Sequence, residues 1–219
     1  VVAIDAVGAS SALVLLADGH GHRLGTVDLR TADTAVDLTR PSVVPERSAT
    51  VEPLAGQARN VEPEALTAWT ALGLATACAD LVGTMQGAVT LAAAYAADRR
   101  QYGVPVGSFQ AVQHLLADAF VATEGSRSVA LHAAWAADAL PADEALAAAA
   151  LAKAYCARAA RNVCEAAIQV HGGIGNTWEC LAHVHLRRAL LSSEVLGGVG
   201  ASLARVLDHH GLGGDHGLR

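Results

Sequence analysis

Asp98-Arg99-Arg100-Gln101-Tyr102-Gly103 closes a long helical stretch, and Val104-Pro105-Val106-Gly107-Ser108-Phe109-Gln110 leads into the next one. Two arginines at a helix C-terminus are favoured by the negative end of its dipole, which is one sufficient reason for them. The other reading is anion clamping. A guanidinium presents a planar fork to phosphate oxygens, and the N-terminus of the following helix is an anion site in its own right. A second cluster, Gln169-Val170-His171-Gly172-Gly173-Ile174-Gly175, also follows a helix. Phosphate-cradling glycine loops of the Rossmann type follow strands, so that reading fails here. What remains is a helix C-cap, or a close backbone approach to a ligand with Gln169 offering an amide.

Other candidate chemistry is thin. His183 and His185 are two residues apart on a helix and point to different faces, so no shared metal is expected. His114, His132 and His171 are scattered, no Ser-His-Asp order or G-x-S-x-G elbow is present, and Arg187-Arg188 read as ion-pairing residues. Cys78, Cys156, Cys164 and Cys180 form no C-x-x-C pair and lie in Ala-rich runs. Buried free thiols and a reducing compartment, the cytoplasm, are the expectation. The formal net charge of −6 without a basic stripe argues against nucleic acid. No basic-then-apolar leader is visible. No stretch of about 18 residues is expected to be apolar enough to span a membrane once Asp80, Asp98 and Arg99 are counted.

These groups must be held by mostly helical elements. The 219 residues are 53% hydrophobic but only 4% aromatic, because alanine, the best helix former, supplies much of the apolar count. Residues 1–58 read as a partial antiparallel β-domain. Runs such as Ala12–Leu16, Leu24–Leu29, Thr34–Leu38 and Ala49–Leu54 are punctuated by Asp18-Gly19, Gly21 and Asp33. The chain opens at Val1 inside what reads as a strand, as a fragment would. Near Asn60 the character changes, and residues 59–210 are expected to form a C-terminal antiparallel four-helix bundle. Glu62-Pro63-Glu64 starts the first helix. The second runs from an N-cap at Ser108 to Leu140, stopped by Pro141; the third from Asp143 to His171; the fourth from Thr177 toward His210, with Gly197, Gly198 and Gly200 as interruptions. Residues 211–219 read as a disordered tail.

Taken together, the two clusters resemble a known family. RRQYGVPVGSFQAVQHLLAD is similar to one signature of the acyl-CoA dehydrogenases, QVHGGIGNTWE to another, and LRRALL to the helix that follows. The resemblance is strong over Leu72–Leu196 and extends to Val1–Gly56 as the end of the family's middle β-domain. It implies FAD held between subunits, an acyl-CoA substrate, a carboxylate that removes the α-proton, and transfer of the β-hydride to flavin. Carried over by position, Arg99 would contact the FAD pyrophosphate, Gln101, Tyr102 and Gln110 would line the same site, and Gln169, Gly172 and Gly173 would meet the adenosine-diphosphate end.

The sequence departs from the family at the base. The commonest subgroup's glutamate falls at Leu196, followed by Gly197, and a second subgroup's falls at Gly73. The nearest carboxylates are Glu194, two residues before Leu196, and Asp80, two turns after Gly73. The catalytic residue is therefore unassigned, with Glu194 and Asp80 as candidates. The pattern resembles a subunit of short heteromeric acyl-CoA dehydrogenases acting on bulky thioesters such as those of sterols, with a homologous subunit as partner and an electron-transferring flavoprotein or oxygen as acceptor. Three readings stand: a subunit that lends flavin contacts while its partner carries the base, a non-catalytic scaffolding paralogue, and a homo-oligomer using Glu194.

Overall fold

The structure is a computed structural model that describes residues 3–6, 8–17, 21–29, 37–45, 49–54 and 60–213. Two compact units divide it, Val1–Thr67 and Ala68–Arg219.

The first unit holds short antiparallel strands. β1 (Ala3–Ile4) pairs with β4 (Ser42–Val43), and β2 (Ser11–Ala17) pairs with β3 (His22–Asp28) along its whole length, from Ser11 opposite Asp28 to Ala17 opposite His22. The other edge of β3 carries β5 (Val51–Pro53) and β6 (Asn60–Val61). Exposure alternates along β2, the period-two signature of a pleated strand. Ala6, Leu29 and Val43 form a small core. The strand expected over Thr34–Leu38 falls largely outside the described residues, and its described end lies in a turn, where Thr39 donates to Asp37 Oδ1 through both its backbone N–H (2.8 Å) and its hydroxyl (2.7 Å).

Helices build the second unit. α1 spans Pro63–Asp98, with proline in the first turn, where its missing N–H costs nothing. It ends in a miniature hairpin of β7 (Arg100–Gln101) and β8 (Val104–Pro105). The hairpin's two central residues, Tyr102 at φ 51° and Gly103 at φ 82°, are both left-handed, as the tightest hairpin turns require. A 3-10 turn over Val106–Ser108 then feeds α2 (Gln110–Ala139). Ser108 is not the N-cap: its hydroxyl donates back to Pro105 O at 2.7 Å, and Phe109 holds the cap position. α3 (Ala142–His171) follows Pro141.

The fourth helix is two pieces, α4 (Ala182–Glu194) and α5 (Val199–His209). It starts later than Thr177, because residues 172–176 continue α3 as a 3-10 turn. The break falls at Leu196 (φ 58°) and Gly197 (φ 101°).

The bundle interior is built of methyl groups. Ala71, Ala88, Ala92, Ala133, Ala149 and Ala160 are fully buried, with Leu74, Leu81 and Met85 among the few larger side chains. Small residues let backbones approach: a Cβ on Gly125 of α2 would lie 2.6 Å from the Tyr155 hydroxyl of α3. Buried hydroxyls bond to carbonyls four residues back, as Thr84 does to Asp80 and Ser126 to Ala122. The same alanine content makes α1 and the stretch Ala182–His209 long and apolar enough, by length and composition, to cross a membrane. That corrects the expectation that no stretch would be, since alanine counts as apolar and dilutes Asp80 and Asp98. α1 nevertheless packs as a bundle helix: Arg127 of α2 donates to Gln86 at 2.8 Å, and Asp80 pairs with Arg188 of α4.

Candidate functional site

Both sequence motifs lie at one end of the bundle. Tyr95, in the last turns of α1, stacks on His171, the last residue of α3, with ring centroids 4.5 Å apart. His171 is buried, and its Nδ1 lies 2.7 Å from Ala167 O. This contact brings the arginine hairpin and the glycine cluster side by side.

The hairpin's backbone is pinned while most of its side chains stay exposed. Arg99 N–H donates to Tyr95 O at 2.8 Å, and Val106 N–H donates to Arg99 O at 2.7 Å. Arg100 reaches Gly103 O at 3.4 Å, whereas the Arg99 guanidinium has no hydrogen-bond or ion-pair partner among the described residues. Arg99, Gln101, Gln110 and Gln169 are exposed, and Tyr102 is 94% exposed, with its ring edge-on to Phe109. A non-glycine residue in left-handed conformation costs on the order of 1–3 kcal/mol, which the hairpin pairing and the Phe109 ring contact offset in part.

The glycines divide by role. Gly172 is left-handed, at φ 65°, and its N–H reaches the carbonyls of Ile168 and Gln169, an ordinary helix C-cap. Gly175 is crowded, since a Cβ there would lie 2.8 Å from Ile168 O. A Cβ on Gly173 would meet nothing within 4 Å, and its φ is not left-handed. The fold itself therefore places no demand for glycine at 173.

These donors suit an anionic, extended cofactor such as FAD. They comprise a free guanidinium, three amides and an open glycine backbone on pinned elements, while α2's first N–H groups lie beside them.

The far end of α1 is different in kind. Gly73 lies roughly 33 Å from Tyr95 along the helix. A Cβ on Gly73 would overlap Leu196 Cδ1, so the leucine side chain rests in the space a larger residue would fill. The two positions where the family's base would fall are thus one place in space, and both are apolar.

Neither candidate carboxylate reaches that place. Asp80 accepts from Arg188 Nε at 3.0 Å and from its Nη2, while Ser192 donates to Oδ2 at 2.5 Å. Asp80 and Arg188 are 20% and 31% exposed, so this is a partly buried bridge between α1 and α4. Glu194 ends α4 with its carboxylate against Gly198; a Cβ there would lie 2.8 Å from Oε2. It faces the start of α5, whose positive dipole end favours it.

His183 meets Trp178 edge-on, while a Cβ on Gly87 would crowd the His185 ring, so the two histidines occupy separate surroundings. Burial, and then Arg188, hold His185 below the usual imidazole pKa.

Lys153 was not singled out from sequence. Its side chain is the largest fully buried one among the described residues and lies beneath the α4–α5 turn. The available signal was its place on the apolar stripe of α3, one turn from Ala149, Cys156 and Ala157, which are all buried.

Comparison with known proteins agrees with the motifs. The family description "Acyl-CoA dehydrogenase, C-terminal domain" matches residues 66–208. Acyl-CoA dehydrogenase FadE34 of Mycobacterium tuberculosis (strain ATCC 25618 / H37Rv) is 37% identical over 207 residues, which are 91% of this chain and 28% of that protein. Acyl-CoA dehydrogenase IpdE2 of Mycolicibacterium smegmatis (strain ATCC 700084 / mc(2)155) is 37% identical over 119 residues, 54% of this chain and 36% of that one. The chain therefore spans about a third of these relatives or less. Among solved structures, the Tcur3481-Tcur3483 steroid ACAD G363A variant superposes with TM-score 0.79 at 28% identity, covering 94% of this chain and 56% of that one. The ChsE4-ChsE5 complex from Mycobacterium tuberculosis superposes with TM-score 0.78 at 25% identity, covering 94% and 57%. A bundle with these two motifs at one end, matched by the family over most of its length, places the chain in the acyl-CoA dehydrogenase family, of which it carries the C-terminal domain.

Proposed function

We propose that this chain is one subunit of an FAD-dependent acyl-CoA dehydrogenase that oxidises an acyl-CoA thioester to the 2,3-enoyl-CoA, and that the α-proton is removed by a carboxylate of a homologous partner subunit. The observation that carries this reading is the packing of Leu196 on Gly73, which leaves no carboxylate at either family position. Two solved relatives support the heteromeric part, since one is the Tcur3481-Tcur3483 steroid ACAD and the other the ChsE4-ChsE5 complex.

In this reading Arg99 holds the pyrophosphate, Gln101, Tyr102 and Gln110 line the same cleft, and Gln169, Gly172 and Gly173 meet the adenosine-diphosphate end. Bound FAD supplies the hydride acceptor. The chain's own residues bind and orient it, the fork of Arg99 fixing a phosphate from two directions. The exposure of every one of these groups fits a site completed by another subunit. Four buried free thiols fit a reducing compartment such as the cytoplasm. An electron-transferring flavoprotein is the proposed acceptor.

The second reading, a non-catalytic scaffold, draws on the same missing base. The chain purified alone and then with its homologous partner separates the two by flavin absorbance and turnover. Flavin retained only in the complex, with Arg99→Ala releasing it, is the expected result. Flavin content and turnover indifferent to Arg99 would leave the scaffold.

A further inference from the structure

The α4–α5 turn is held by a charge with no ion-pair partner among the described residues. The Lys153 ammonium, fully buried on α3, donates to Ser193 O at 2.7 Å, Val195 O at 3.0 Å and Gly197 O at 3.2 Å. An ammonium is the one side-chain atom with three donors, and here all three are used. Ser193 supplies one of the carbonyls that a helix C-terminus leaves without an intrahelical partner. The other two belong to the peptides 195–196 and 197–198. The peptide between them is fixed from the other side, since Gly197 N–H donates to Glu194 O at 3.0 Å. Three successive peptides are therefore pinned, and they include both that set the backbone of Leu196. Its left-handed φ of 58° follows from those anchors and not from any preference of leucine.

We infer that Lys153 is the positioning residue of this turn: by gathering the carbonyls around Leu196 it imposes the left-handed backbone that seats the leucine side chain on Gly73. The closed, apolar floor at the family's base position is then built from beneath by a lysine on another helix. Its bearing on dehydrogenation rests on the reading under Proposed function, but its geometry does not.

Around the ammonium stand the Cys78 thiol of α1, Cys156 of α3, Glu194 of α4 and Arg205 of α5. Glu194 favours the charge and Arg205 opposes it. Carbonyl dipoles, with the negative end of α4 behind them, take the place of a counter-ion.

The test is amide hydrogen exchange across 194–199 in the chain purified in its native assembly. Lys153→Met keeps the side chain's length and removes every donor. It should speed exchange at Gly197 at least tenfold, while amides of the Arg99–Gln110 segment exchange as in the wild type. Lys153→Gln, which keeps two donors, should fall between, a graded recovery that loss of packing alone would not give. Gly73→Ala, which displaces Leu196 from above with the ammonium intact, should speed exchange at the same turn. Wild-type exchange at Gly197 in the Met variant overturns the proposal. Should the Met variant fail to fold, wild-type exchange in the Gln variant does so. Flavin content of the same preparations keeps the two claims apart. A flavin-free wild-type assembly counts against the proposed function, and the exchange rates still decide on Lys153.

Discussion

The two ends of α1 use opposite means. At its C-terminal end, backbone hydrogen bonds fix a hairpin and a glycine turn, and Arg99, Gln101, Gln110 and Gln169 are exposed without side-chain partners among the described residues. Around Gly73, the carboxylates and the lysine are engaged within the chain: Asp80 by Arg188 and Ser192, Lys153 by three carbonyls, Glu194 by the start of α5, while Arg205 Nη1 and Ser202 Oγ of α5 are buried without a hydrogen-bond partner among the described residues. In the reading proposed above, one end meets a cofactor, while the other is closed by contacts within the chain. Charged groups alone therefore do not mark a site, and groups that are both exposed and without partners among the described residues are the better guide.

The largest effect that sharpens this contrast is expected at the closed end. Arg188→Ala removes the guanidinium from Asp80 and leaves its partly buried carboxylate with the Ser192 bond but no counter-charge from Arg188, which should cost about 2–3 kcal/mol in denaturant unfolding, below the full penalty of a wholly buried pair because both partners are partly exposed. At the open end, Arg99→Ala should leave unfolding unchanged but weaken FAD retention by about 1.5–3 kcal/mol, read as flavin content after dialysis. Arg99→Lys should recover part of that. Equal stability losses at both ends would erase the distinction.

Smaller effects follow. Gly173→Ala should stay within about 0.5 kcal/mol of wild-type stability, since its Cβ meets nothing, yet lower flavin retention. Burial holds Lys153 below the usual lysine pKa of 10.5. The folded chain thus binds this proton less tightly than the unfolded one, so Lys153 adds stability as pH rises from its lowered value toward 10.5. Burial also pushes Cys164 up to about 12 from 9.0, and Cys78 is pushed up as well, chiefly by its hydrogen bond with Cys156. Those thiols lose stability as pH climbs above 9, so the lysine shows only in the difference between wild type and Lys153→Met, which should grow with pH across that window. The smallest effect should come from Glu194→Gln, with turnover of the assembled complex within a few-fold of wild type. A loss of the ~10²–10⁴-fold expected for removing a general base would put the base in this chain.

The sequence read well wherever the signal was local. Pro63, Pro141 and the glycines after His171 mark helix ends because they act on their own backbone. The two motifs were legible for the same reason, each lying within one stretch of chain. The meeting of Gly73 with Leu196 was not legible, because nothing in either neighbourhood specifies a partner so distant in sequence. Ser108 looked like a cap by residue type, but Pro105 offered its hydroxyl a carbonyl one turn back. Lys153 was legible in principle as a charge on an apolar stripe; among so many alanines, the stripe itself was hard to see.

The alanine interior also shapes how the domain melts. A methyl side chain has no rotamers to freeze on folding, and it shields little apolar surface compared with leucine. The heat-capacity change of unfolding scales with the apolar surface released, about 12–15 cal/mol/K per residue in ordinary domains. With Ala71, Ala88, Ala92, Ala133, Ala149 and Ala160 in place of bulkier residues, this bundle falls toward the low end. Its stability curve should be correspondingly shallow, which calorimetry would show as a small heat-capacity step on unfolding.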